Sequence, residues 1–547
     1  MLWPFTVQSL SLITGTLLLF LLVKEVYKII TSPLRPLPAP PVPSWLYGND
    51  REIDQSDDPL FLEKWVDKYG RSFRTKWLFF QDRLNTADPK AVSHIITNDG
   101  KIYKKPETIR WILGRILGNG VLVTEGEKHK AQRKVMDPAF GSAQIRELTS
   151  YFVEESIHLR DIWISQIVDN NLDNKNGVAQ FDAQSWLSRM TLDVIGRAGF
   201  NYNFNALNPH SEPNELNKAF GVIFGRNNNF TVWNLAQALI PDASFTGART
   251  DAVPSSPPLM KPMTRIGQGL INESKAELKA FGEKDTVSRP KDLLSLLVRS
   301  NLSESAKQQR LSDEDILSQV PTFIVAGHET TSTAVAWSLY ALTQHPLIQT
   351  KLRQECLSLG TEEPTMEQLN SLPYLDAVVR ESLRVHPPAP VLQRVAREDD
   401  VLPLQHPFTD KDGIVHTEIR IRKGQVVIIP IAEINRDKAI WGQDASDFKP
   451  ERWENLPDTS SSMPGIWGHQ LTFFAGNRAC IGYRFSIIEM KALLFTLIKA
   501  FEFELAVPKE DIVRKLSIVQ RPAVKSQPEE EVSFHYLLGY ILRVTNR

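Results

Sequence analysis

The chain has 547 residues, with 63 Lys and Arg against 64 Asp and Glu, and two cysteines, Cys356 and Cys480. A net charge near zero argues against a nucleic-acid footprint. Two cysteines in so long a chain argue against a disulfide scaffold and point to a reducing compartment.

Leu2 to Val23 carries no charged residue, and Phe5 to Val23 would span about 28 Å as a helix, close to a bilayer core. Lys24, Lys28 and Arg35 follow, so the positive-inside rule puts the remainder on the cytosolic side. Met1-Leu2-Trp3-Pro4 has no base and no small-residue cleavage site precedes Lys24. Residues 1–24 therefore read as an uncleaved signal-anchor rather than a signal peptide. Residues 25–44 hold Pro33, Pro36, Pro38, Pro40, Pro41 and Pro43, a stiff proline-rich hinge. Beyond residue 45 there is no linker, repeat or low-complexity break, so 45–547 reads as one large domain.

Asp57-Asp58-Pro59 starts a helix running to Gly70. Phe73, Thr75, Trp77 and Phe79 alternate as a strand, with Leu84 to Ala87 as its partner. Asp88-Pro89 opens a helix with Ala91, Val92, Ile95 and Ile96 inward. Glu127 to Val135 is strongly basic, with Lys128, His129, Lys130, Arg133 and Lys134; His129 and Arg133 share a helix face. A solvated charged helix is the plain alternative. Residues 166–180 read as a surface loop, Ala183 to Phe200 as helix, and Asn201 to Pro262 as an irregular segment rich in Phe. Sequons at Asn229, Asn272 and Asn301 stay unmodified in a cytosolic domain.

Asp313 to Gln344 reads as one helix, capped by Ser312 with Asp315 at the capping-box position. Its middle is Ala326-Gly327-His328-Glu329-Thr330-Thr331. Glycine followed by two threonines weakens a helix, and threonine hydroxyls bond back to carbonyls and bend it. Glu329 and Thr330 form an acid–alcohol pair able to relay protons. An amphipathic core helix that happens to carry polar residues is the alternative. Glu381 and Arg384 share a helix face bounded by Leu372-Pro373-Tyr374 and His386-Pro387-Pro388. Glu107 and Arg110 have the same spacing, so the spacing alone says little. Pro450-Glu451-Arg452-Trp453 adds a further arginine. Asp399 to Gly424 allows a hairpin, and Val426 to Pro430 a strand.

The stretch from Phe473 to Gly482 reads F-x-x-G-x-R-x-C-x-G. Gly476 and Gly482 let the backbone turn tightly and approach a flat ligand. Helical spacing follows from Ile481 to Lys499, so Cys480 stands at a helix N-terminus, where the dipole favours a thiolate. A thiolate on such a loop can ligate haem iron. Arg478 can hold a haem propionate and Phe473 can pack beneath the sulfur. A buried structural cysteine is the alternative for any lone cysteine, and the full pattern weighs against it. A widened helix around Gly327 would leave room for dioxygen over the haem.

This signature and the three other motifs, in order, resemble the cytochrome P-450 monooxygenases of microsomal type, with a flavour of fungal members. The resemblance implies a mainly α fold with small β-sheets (α+β) behind a single transmembrane helix. It implies haem b with Cys480 as axial iron ligand, and propionate contacts from Arg478, Arg133, His129 (tryptophan in many members) and Arg394. It implies Glu329 and Thr330 as the oxygen-activating pair and Glu381, Arg384 and Arg452 as a buried ion triad. The segment from Asn201 to Pro262 becomes a lid, and Val391, Leu392 and the turn Ile518 to Pro522 face substrate. Electrons come from NADPH through a flavoprotein reductase on the cysteine side, where Lys128, Lys130 and Lys134 offer a basic patch. The expected protein sits in membrane lipid, at the endoplasmic reticulum, with its catalytic domain cytosolic. It inserts one atom of O2 into a hydrophobic small molecule, such as a fungal terpenoid, and binds no nucleic acid. The rival readings are an isomerase, desaturase or dehydratase on the same scaffold, and a non-enzymatic membrane haem-binding protein.

Overall fold

The computed structural model describes residues 15–16, 19–20, 23–54, 56, 61–171, 178–208, 260–281, 292–302, 310–516, 519–525 and 541–546. The chain forms two compact units, Met1–Lys104 with Val391–Glu433, and Lys105–Pro390 with Ile434–Arg547.

The smaller unit is built on a five-stranded sheet of β1 (Ser72–Lys76), β2 (Asp82–Thr86), β3 (Tyr103–Lys104), β4 (Val391–Ala396) and β5 (Val426–Pro430), in the order β1-β2-β5-β4-β3. The alternation read in the sequence buries Phe73 and Thr75, and Phe73 lies opposite Asn85 in the antiparallel β1–β2 ladder. β2 pairs with β5 in parallel. The hairpin expected between Asp399 and Gly424 is present as Asp400–Thr409 against Val415–Ile421. Helix Pro89–Thr97 begins where Asp88-Pro89 placed it: the Asp88 carboxylate accepts from the N–H groups of Lys90 and Ala91. Such a cap is worth about 1 kcal/mol. Ala91, Val92, Ile95 and Ile96 are all buried.

The proline-rich stretch is more than a spacer. Leu34 and Leu37 are buried, and the Pro38 carbonyl accepts from Arg74 N–H on β1 at 2.8 Å. The cap at Asp57-Asp58-Pro59 lies outside the described residues; the helix after it spans Phe61–Tyr69. Most of the apolar stretch Phe5 to Val23 also lies outside them. Among the described residues no helix is long and apolar enough to cross a membrane.

The larger unit is mainly helical. Its site-bearing helices are α1 (Gly126–Met136), α2 (Ala183–Phe200), α3 (Gln319–Gln344), α4 (Pro373–Val385) and α5 (Tyr483–Ala500). Trp163 stacks on Phe181 at 4.8 Å and Phe152 meets Phe485 of α5 edge-on at 4.6 Å. Two sequence boundaries shift. Helix Ser142–Asn171 continues into the stretch read as loop from residue 166. The expected helix Asp313 to Gln344 is two, Asp313–Leu317 and α3. At Ser318 between them, the Ser318 hydroxyl and the Gln319 side chain both donate to the Asp315 carbonyl. Side chains thus satisfy a backbone group that the helix would otherwise use.

Gly327 has a packing reason of its own. A Cβ there would meet Ile195 Cδ1 of α2 at 2.9 Å, so the glycine lets α2 and α3 cross closely. Most of the segment read as a lid, from 209 to 259, lies outside the described residues. Of the sequons, Asn229 also lies there, and Asn301 is buried with both side-chain atoms bonded to the Leu311 backbone.

Candidate active site

The cysteine loop closes on itself: Cys480 N–H donates to the Phe473 carbonyl at 2.9 Å. Gly476, at φ 64°, makes the turn, and buried Phe474 sits in the left-handed region at φ 57°. A non-glycine residue there costs about 1–3 kcal/mol, which the surrounding packing must offset. Phe473 is buried between Trp467 and Tyr483, with ring centroids 6.0 and 6.1 Å away. A Cβ on Gly482 would meet nothing nearer than Phe140 Cε1 at 3.8 Å. The protein itself leaves room beside that glycine.

Cys480 is exposed, yet protein crowds it enough that burial is the largest influence on its thiol. Burial pushes the thiol up, while the Gly482 N–H and Arg133 pull it down without prevailing. The Gly482 N–H at the start of the following helix acts on the thiol in the direction expected of a helix N-terminus, against the larger effect of burial. Gly482 is the N-cap and α5 begins at Tyr483, so the sulfur stands off the helix end. A metal ion bound there would deprotonate the coordinating thiol.

α1 reaches this loop through Arg133, whose Nε donates to Asp137 at 2.8 Å and whose Nη1 donates to the Ala479 carbonyl at 2.6 Å. Arg478 turns the other way and donates to the Thr124 carbonyl and to the Glu125 carboxylate. His129 is buried beside them. Burial first, then Arg478, Lys105 and Arg133, push its imidazole down to about 3. A buried neutral ring facing three cations is a setting that favours an anion. Arg394 lies in the smaller unit, where its Nε and Nη2 both donate to Asp99 Oδ2 at 3.0 and 2.8 Å and its Nη1 to the Gln393 carbonyl. Its fork is committed to those partners. Val391 and Leu392 are half-buried on β4.

On α3, Ala326 is exposed and Thr330 half-buried, although Val325, His328, Glu329 and Thr331 are buried. Ala326 and Thr330, four apart, therefore form one open stripe in the largely buried middle of the helix. Thr330 Oγ1 donates to the Ala326 carbonyl at 2.8 Å, the back-bond expected of it. Thr331 Oγ1 lies 3.1 Å from Ser486 Oγ, which ties α3 to the first turn of α5. Glu329 does not bond to Thr330, since adjacent residues point apart on a helix. Its carboxylate meets His328 Nε2 at 3.2 Å and Arg521 Nη2 from β6 (Gln520–Val524). Burial raises the Glu329 carboxyl, but His328 and Arg521 outweigh it and hold the group below the ordinary carboxylate range.

The three members of the expected ion triad are together and buried. Arg384 holds Glu381 with both prongs, at 2.9 and 2.7 Å, and Arg452 Nε approaches Oε1 at 3.3 Å. The Trp453 indole donates to Glu381 at 3.0 Å and the Lys449 N–H at 2.9 Å. Arg384 also donates to the carbonyls of Asn435, Ala445 and Asp447, and Arg452 to Asp444. The rival Glu107–Arg110 spacing forms no such centre; Arg110 donates to the Val123 carbonyl. The basic patch on α1 is thinner than its sequence suggested: Lys128 pairs with Asp315 at 2.6 Å and Lys130 with Glu127 at 2.7 Å. Lys134 is exposed and has no carboxylate partner among the described residues.

A cysteine exposed on its loop, room beside Gly482, cations around His129 and an open stripe on α3 all suit a flat, dianionic, metal-bearing macrocycle, so these residues fit haem. The sequence model of the cytochrome P450 family matches residues 38–526. The chain belongs to the cytochrome P450 family, whose members are haem-thiolate oxidoreductases supplied with electrons by a redox partner reductase. It is 50% identical over 512 residues to cytochrome P450 monooxygenase 205 of Postia placenta, covering 92% of each chain. It is 36% identical to cytochrome P450 monooxygenase claP of Ampulloclitocybe clavipes over 96% of this chain and 97% of that one. It is 34% identical to the ganoderic acid synthetase CYP5150L8 of Ganoderma lucidum over 90% and 92%.

Proposed function

We propose that the chain is a single-pass membrane monooxygenase that inserts one atom of O2 into a hydrophobic small molecule of fungal specialised metabolism, such as a terpenoid. The observation that carries this reading is Cys480, exposed on its loop and tied through Ala479 to Arg133. Haem supplies activation of dioxygen and takes up the electrons that NADPH delivers through a flavoprotein reductase. Cys480 Sγ would hold the iron, and Arg133, His129 and Arg478 would hold the propionates, Arg478 on giving up its present bonds to Thr124 and Glu125. Phe473, Gly476 and Gly482 shape the loop. The triad of Glu381, Arg384 and Arg452 fixes the segment before the loop. Thr330 Oγ1, its hydrogen given to Ala326, keeps lone pairs toward the open stripe. Glu329, which bonds His328 and Arg521 rather than Thr330, would pass protons toward that alcohol through intervening water.

The membrane address rests on the uncharged stretch before Lys24 and the basic residues after it. The substrate class rests on that address and on the specialised product in the name of the Ganoderma relative.

The test is expression with a reductase. A thiolate-type reduced carbon monoxide spectrum is expected from the wild type and is lost in Cys480→Ser. NADPH- and O2-dependent mass gains of one oxygen are expected when hydrophobic fungal extracts are screened. Turnover that needs neither would overturn the reading. Removal of residues 1–24 is expected to move the protein from the microsomal to the soluble fraction.

A further inference from the structure

We propose that His328 is the store of the proton that Glu329 delivers, so that the imidazolium–carboxylate pair, rather than Glu329 alone, is the acid of the relay. The inference rests on the monooxygenase reading and deepens it. His328 and Glu329 are both buried in the middle of α3. His328 Nδ1 lies 2.8 Å from the Ile324 carbonyl. A carbonyl only accepts, so Nδ1 carries a hydrogen. His328 Nε2 lies 3.2 Å from Glu329 Oε1. An ionised carboxylate also only accepts, so that contact too must contain a proton.

The second carboxylate oxygen identifies where that proton sits. Arg521 from β6 donates to Glu329 Oε2, and this permanently charged guanidinium against the carboxylate favours its ionised form. An ionised Glu329 has no proton of its own to give. The hydrogen between the two residues therefore belongs to Nε2, and His328 is an imidazolium. In the delivery step the Nε2–H bond breaks and an Oε1–H bond forms. This leaves a neutral ring with hydrogen on Nδ1 and a neutral carboxylic acid. The acid hands the proton on toward Thr330, and a proton from water restores the ring.

The backbone that carries the ring is also held from α2. The Thr191 hydroxyl of α2 is 3.0 Å from the His328 carbonyl, and Gly327 beside it is packed against Ile195. His328 thus acts through Glu329 as a positioning and proton-storing residue, without itself touching the reacting atoms.

The experiment uses the haem-loaded chain labelled with 15N-histidine, held in the diamagnetic ferrous carbon monoxide state at neutral pH. One histidine is expected to show hydrogen on both ring nitrogens, to disappear in His328→Gln and to lose its Nε2 hydrogen in Glu329→Gln. A bare nitrogen on His328 in the wild type overturns the proposal. Should His328→Gln fail to fold, the change in Glu329→Gln alone decides. In reductase-supported NADPH oxidation without added substrate, His328→Gln and Glu329→Gln are each expected to raise the share of electrons released as hydrogen peroxide severalfold, with the double variant no worse than Glu329→Gln. Independent, additive losses overturn it. The carbon monoxide spectrum reports the thiolate separately, so failure of the broader functional reading would be seen apart from failure at His328.

Discussion

Arg133 Nη1 donates to the Ala479 carbonyl at 2.6 Å, so the helix carrying His129 is anchored to the residue that precedes Cys480. The same guanidinium holds Asp137 through Nε. Lysine keeps the charge but cannot bridge both partners with a planar fork. Arg133→Lys is expected to cost about 1.5–3 kcal/mol, the worth of a hydrogen bond to a charged group, and to lower haem content. Denaturant midpoints and the haem-to-protein ratio measure the two effects; an unchanged haem ratio would show that α1 is not tied to the cofactor.

Glu381 is fully buried and receives Arg384, Arg452, Trp453 and the Lys449 N–H. Removing it takes the carboxylate from the buried Arg384 guanidinium, while Arg452 keeps Asp444. Glu381→Ala is expected to lose about 3–5 kcal/mol and to incorporate no haem. A normal carbon monoxide spectrum from that variant would refute the structural role of the triad.

His129 gives the haem-free protein a pH dependence of known sign. Its imidazole is pushed from 6.5 down to about 3 in the native state. Between those values the unfolded chain binds a proton that the native chain refuses, so stability falls as pH falls through that window. Asp193 acts oppositely, because burial pushes its carboxyl up to about 6. Between 3.8 and about 6 the native state holds the extra proton, so this contribution grows as pH falls. His129→Gln is therefore expected to flatten the acid-side loss of stability in the apoprotein by at most one proton in slope. Haem, whose propionates favour the imidazolium, is expected to shrink the difference between the two proteins. Chemical denaturation across pH 3.5 to 7 checks both.

Lys128 and Lys130 are already paired with Asp315 and Glu127, whereas Lys134 is exposed. Charge reversal at Lys134 is expected to slow reduction by the reductase more than reversal at Lys130. The effect should be larger at low salt, where screening over about 10 Å is lost. Stopped-flow reduction at two ionic strengths measures it, and identical rates would make the patch idle.

What the sequence disclosed follows from spacing. Cys480, Arg478, Glu381 and Arg384 stand at fixed short intervals whose chemistry needs no knowledge of the fold, and Asp88-Pro89 announces a helix start by local capping. What it hid lies between residues far apart in the chain. Arg521 meets Glu329 across 192 positions, and Arg133 meets Ala479 across 346. No periodicity connects such pairs. His328 read as one letter of a motif, because the proton in its contact with Glu329 depends on which carbonyl the other ring nitrogen meets. The burial around Cys480 was hidden for a related reason: a dipole can be inferred from a helix pattern, but burial needs the packed structure.

The smaller unit carries a consequence for biosynthesis. β2 must wait for β5, since their parallel pairing joins Arg83 to Val426. At about 10 residues per second on the ribosome, roughly half a minute separates their emergence. Throughout that interval the nascent chain presents a strand edge without its native neighbour, a template for unwanted pairing. A chaperone that shields residues 72 to 86 until translation has passed residue 430 would be expected to raise the yield of soluble enzyme.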